Sequence, residues 1–122
     1  MKGALYIVPA DKSVPVERRE ISAPPSGADL HEIVGGYIEV VPGFNSIEAV
    51  GIFPCVAFCN EDGKRLTPTA PNARATTMWH FALKRSGHPG LVLTAAQGGG
   101  LADYLVGNIA VITGDAELME AL

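Results

Sequence analysis

Between Pro71 and Gly87 the chain carries its strongest helical pattern, and most of what surrounds it follows a shorter period. Ala75, Met78, Trp79 and Ala82 fall at the i, i+3, i+4, i+7 spacing that lays one apolar stripe along a helix. Asn72 stands where an N-cap belongs, Lys84 and Arg85 sit in the last turn where cations complement the dipole, and Gly87 supplies the stop. A second, two-turn helix is marked by Ser26 as N-cap, by Leu30, Ile33 and Val34, and by Gly35 as the residue that ends it.

The remaining apolar segments read as strands. Ala4–Val8 and Val14–Ile21 are expected to form a hairpin through Pro9-Ala10-Asp11-Lys12. Tyr37–Val41 alternates strictly, and Ile52–Phe58 is an almost continuous apolar strand interrupted by Pro54, which confines that point to an edge or a bulge. Asn60–Lys64 is a turn in which Asp62-Gly63 is expected to supply a positive φ. Leu91–Thr94 reads as a short strand, Gln97–Gly100 as a flexible loop, and Ile109–Thr113 as a last strand before an acidic tail. Strands clustered with few intervening helices predict an α+β fold. Its mainly antiparallel sheet has about five to six strands, with one long and one short helix packed on it and Asn72–Arg85 covering one face.

A chain of 122 residues has room for one hydrophobic core, so residues 1–122 are read as a single domain. Hydrophobic residues at 48% against charged residues at 18% exclude a disordered chain. No apolar run reaches membrane-spanning length, and Met1-Lys2-Gly3-Ala4 leads into a strand rather than a secretory segment, so a cytoplasmic protein without membrane contact is expected. The formal net charge is −4 and the nine Lys and Arg are scattered, which argues against general nucleic-acid binding. Cys55 and Cys59 lie four apart on an extended segment, about 13 Å between Cα atoms. That is too far for a disulfide, and reduced structural thiols are expected.

Chemistry-bearing motifs are few. Gly98–Gly100 resembles a phosphate loop only superficially, because no Gly-Lys-Ser/Thr follows and Asp103 comes next instead of a cation. His31, His80 and His88 are isolated and set no metal-ligand spacing, no nucleophile elbow is present, and no cofactor, metal or catalytic residue is assigned. The polar cluster that stands out is Asn60 with Asn72, Arg74 and Thr76 at the start of the long helix. Unpaired helix N–H groups together with the Arg74 guanidinium suit a small anionic ligand there, against the plainer alternative of capping and solvation. The Gly98–Gly100 loop with Tyr104 is the next place for a site.

Val34-Gly35-Gly36-Tyr37-Ile38-Glu39-Val40-Val41, Asn60–Lys64, Pro71–Thr76 and Gly107–Val111 resemble, in that order, the family catalogued as domain of unknown function 3846. The chain departs from it in Asn108, where an acidic residue is expected, and in a longer glycine-rich segment from His88 to Gly100. The resemblance implies a protein of phages, plasmids or actinobacterial genomes and carries no catalytic assignment. In that context the expected role is a non-enzymatic mobile-element accessory protein, anti-defence in character, that binds a small anionic ligand such as a nucleotide signal, or a host protein. A protein-inhibiting or homo-oligomeric structural module is the alternative, suggested by apolar residues near edges such as Ile52, Phe53 and Leu91, and a small hydrolase is the third.

Overall fold

In a computed structural model, which describes residues 1–65 and 69–122, the antiparallel pattern expected from the strand periods is present. The strands are β1 (Gly3–Val8), β2 (Glu17–Ile21), β3 (Ile38–Val40), β4 (Ser46–Ala49), β5 (Gly51–Asn60) and β6 (Ile109–Gly114). The helices are α1 (Gly27–Val34), α2 (Ala73–Arg85) and α3 (Ala116–Glu120). The sheet is antiparallel in the order β2-β1-β6-β5-β3, with β4 also paired to β5. The protein is therefore α+β, with six strands in its sheet.

β6 occupies the centre because every residue from Ile109 to Ile112 is buried, with alternate side chains entering opposite layers. On one face Ile109 and Val111 pack with Val8, Cys55 and Ala57 beneath Ala75, Trp79 and Ala82 of α2. On the other, Ala110 and Ile112 join Leu5 and Phe58 beneath Leu30 and Val34 of α1 and Leu118 of α3. The second face is thus covered too. What read as an acidic tail is a short helix, capped by Asp115, whose Leu118 is fully buried.

Both helix N-caps have the expected chemistry: Ser26 Oγ accepts from Asp29 N–H and Asn72 Oδ1 accepts from Ala75 N–H. Gly35 ends α1 at φ 80°, a left-handed position that a side chain would strain. The first hairpin forms in register Tyr6↔Arg18, although β2 begins only at Glu17. Exposed charges on Glu17, Arg18, Arg19 and Glu20 guard this edge strand against further pairing.

β3 and β4 run along β5 with an irregular insertion between them. Val41 N–H donates to Ala57 O and Cys55 N–H donates to Asn45 O, while the intervening segment bulges inward and buries Phe44. Pro54 sits just where the β5–β6 ladder, which starts at Cys55↔Thr113, has ended, so its missing N–H costs no bond there. Beyond it the β4–β5 hairpin projects with Val50, Ile52 and Phe53 exposed. Leu91, in contrast, is buried in the core under α2 and is not an edge residue.

Two local expectations are corrected. Gly63 is not at a positive φ; the turn is set by Asn60, whose Oδ1 accepts from Asp62 N–H and whose carbonyl accepts from Gly63 N–H. Glycine is needed at 63 for space, since a Cβ would lie 2.8 Å from Val106 Cγ2. Leu91–Thr94 is not a strand: its only ladder contact is the isolated bridge Val92↔Leu101, because the Leu91 N–H is taken by His80 of α2 and the segment runs along that helix instead of along a sheet edge.

Candidate functional site: an apolar groove beside the long helix

The start of α2 gathers three of the four residues expected there, and all three are engaged internally. Asn72 is completely buried; its Nδ2 donates to Val8 O and Gly107 O, and its Oδ1 is taken by the cap. Thr76 Oγ1 donates to Asn72 O and accepts from Leu105 N–H. Arg74 turns its guanidinium onto the carbonyls of Pro9 and Asp11, at 2.7 and 2.9 Å. The helix start thus ties β1, the segment before β6 and the β1–β2 connection together. Asn60 is not brought to this group and lines a separate hollow with Lys64, Asp103 and Tyr104.

That hollow measures about 230 Å³, and the two cations lining it, Lys64 and Arg65, are paired with Asp103 and Asp62. Lys64 bonds Asp103, whose carboxylate also accepts from Tyr104 N–H, and Lys64 Nζ lies 4.7 Å above the Tyr104 ring. Burial raises the Asp103 pKa, but the hydrogen bonds from Lys64 and Tyr104 N–H and the Lys64 charge together outweigh it, leaving the carboxyl below its usual range. Burial, then Glu39, pushes the neighbouring Cys59 thiol up, which is the wrong direction for a nucleophile. Among the described residues, no three metal-ligating side chains gather at one place.

A more apolar opening lies on the flank of α2. After Gly87 the chain turns back along the helix and is pinned at two points: Leu91 N–H donates to His80 Nδ1 at 2.8 Å, and Leu105 N–H donates to Thr76 Oγ1 at 3.0 Å. Leu91 and Leu105 plug into the core at these pins. Between them the strap 92–104 loops outward, closed on itself by the Val92↔Leu101 bridge and by a capped turn at Ala95–Gln97. Gly90 makes the first pin possible, because a Cβ there would stand 2.5 Å from His80 Cε1.

Strap and helix enclose a groove of about 600 Å³, walled by Thr77, His80 and Phe81 on one side and by Leu91, Val92, Leu101 and Tyr104 on the other. Phe81, Val92, Leu101 and Tyr104 are 52, 62, 53 and 43% exposed, so four large apolar side chains stand open to solvent around one concavity. Tyr104, the second-choice site residue from sequence, is one of them. Phe81 and His80 were legible as residues off the Ala75–Trp79–Ala82 stripe. Nothing in the local pattern marks Val92 and Leu101 as uncovered.

Fold and groove together define an α+β domain with a two-faced antiparallel sheet and an open apolar cleft on its longest helix; none of its helices among the described residues is long and apolar enough to cross a membrane. No family model, no curated protein and no solved structure matches the chain, so the family resemblance rests on the four segments quoted above.

Proposed function

We propose that this protein is a non-enzymatic binding module that lodges a small, largely apolar molecule in the groove between α2 and the strap. The groove carries the proposal: its volume falls in the usual range of small-molecule sites and its walls are mostly aliphatic and aromatic, with few polar groups. An anionic ligand at the α2 start has less support, since Arg74 turns Nη2 onto main-chain carbonyls and its Nε, without a hydrogen-bond partner among the described residues, is buried, while Lys64, Arg65 and Arg85 are paired with Asp103, Asp62 and Glu48.

A neutral solvatochromic dye tests this directly. It should bind the wild type saturably and with a blue-shifted emission, and Leu101→Asp should abolish the signal by placing a charge in the groove. Ile52→Asp on the exposed β4–β5 hairpin should leave it intact. Equal dye binding by both variants would refute the groove as the site.

A further inference from the structure

The groove walls hold several polar side chains, but their bonds are not equally committed. The Asn72 amide and the Thr76 hydroxyl are fully used, and Thr77 Oγ1 donates to Ala73 O. His80 differs. Its Nδ1 accepts the Leu91 N–H, and a ring nitrogen that accepts from an N–H carries no proton. In the neutral imidazole the proton is then on Nε2, and that N–H has no protein partner among the described residues. The ring is held in place by the Leu91 bond, by the close approach of Gly90, and by an edge-on contact with Phe81 at 5.3 Å between centroids. A donor of fixed tautomer and fixed orientation is therefore carried by a half-buried residue of the groove wall, where the more exposed Tyr104 hydroxyl is the other polar side-chain group with no partner among the described residues.

Resting on the reading of the groove as a small-molecule site, we infer that its ligand class is an apolar molecule bearing one hydrogen-bond acceptor, a ketone- or ester-type oxygen, met by His80 Nε2–H. A donor in an apolar wall favours ligands that satisfy it and penalises shape-matched ligands that strip its water without replacing it. His80 thereby sets specificity, while Phe81, Val92 and Leu101 supply apolar contact area.

Two probes of nearly the same shape separate the terms: 2-acetylnaphthalene, with a carbonyl oxygen, and 2-isopropenylnaphthalene, with a methylene in its place. The ketone should bind the wild type about tenfold more tightly than the alkene, the worth of one hydrogen bond in a shielded site. In protein with 15N-labelled histidine, the His80 Nε2 resonance should move with the ketone and stay put with the alkene. Because this readout uses the unmodified chain, it does not depend on a His80 variant folding. Equal affinities with no Nε2 shift would overturn the role of His80 and leave the groove standing. Failure of both probes to bind at the groove would overturn the groove reading and this inference with it.

Discussion

The carboxamide of Asn72 donates to the carbonyl of Val8 at 2.8 Å, joining the start of α2 to the end of β1 across 64 residues of chain. The same amide reaches Gly107 O and caps Ala75 N–H, so one buried side chain satisfies three main-chain groups from three parts of the fold. Asn72→Ala strands all three away from water, at a cost of about 1–3 kcal/mol for each buried group left unpaired. A loss of about 3 kcal/mol or more is expected in urea unfolding. Asn72→Asp should be at least as damaging at neutral pH, since it keeps the cap but turns a buried anion on two carbonyl oxygens.

Trp79 combines two contributions that substitution can separate. Its ring is 6% exposed within the α2 core and its Nε1–H donates to Pro42 O at 2.9 Å, holding the bulge between β3 and β4. Trp79→Ala should cost about 3–5 kcal/mol through the cavity it leaves. Trp79→Phe keeps most of the bulk and should lose about 1 kcal/mol, the net value of the bond to Pro42. Similar losses for both variants would show that the hydrogen bond, not packing, dominates.

Cys55 and Cys59 lie on one face of β5 and are both free thiols. Burial pushes Cys55 up to about 12, against a weaker opposite pull from Arg85, and its thiol donates to Phe44 O. A thiol raised above its ordinary value of 9.0 adds stability that is complete below that value and is lost as pH climbs towards about 12. Denaturant midpoints should therefore fall over that alkaline window, and Cys55→Ala should flatten the fall. At mildly alkaline pH, a chromogenic disulfide reagent should titrate Cys55 only when denaturant is added.

Asp115 works in the opposite direction. Its carboxylate accepts from Leu118 N–H at 3.0 Å, capping α3, and from Lys2 N–H at 2.8 Å, fastening the start of the chain. The Leu118 bond, with that of Lys2 and the charge of the terminal amine, holds it below its ordinary 3.8. A depressed carboxyl contributes stability above that ordinary value and loses it as pH falls through the lowered one. Asp115→Asn should lower the melting temperature at neutral pH and match the wild type in strong acid. A difference between the two proteins that persisted undiminished in acid would assign the loss to geometry instead of charge.

Local signals carried much of the architecture. The stripe of Ala75, Trp79 and Ala82, the caps Ser26 and Asn72 and the stop at Gly35 each depend on residues within one or two turns, so they survive into the structure unchanged. Pro54 likewise predicted an edge or a bulge at its position, because its missing N–H is a property of the residue alone, and there β5 has lost its β6 partner while still pairing with β4. The turn at Gly63 was placed correctly for the wrong reason: Asn60 sets it locally, and the glycine itself is required by the distant Val106, which no local turn rule contains.

The candidate site shows the same division more sharply. The sequence by itself determined that Asn72, Arg74 and Thr76 share a helix start, but a side chain's partners depend on what the chain brings back to it. The tertiary structure spent all three on Val8, Gly107, Pro9, Asp11 and Leu105. Leu91 and Val92 are adjacent and chemically alike, yet one is 3% and the other 62% exposed. The pin between Leu91 N–H and His80, 11 residues back on α2, together with packing of Leu91 into the core cluster, sets which of them enters the core and which borders the groove. Periodicity reports which residues can be buried; where burial stops is set by long-range packing, and the groove exists at that boundary.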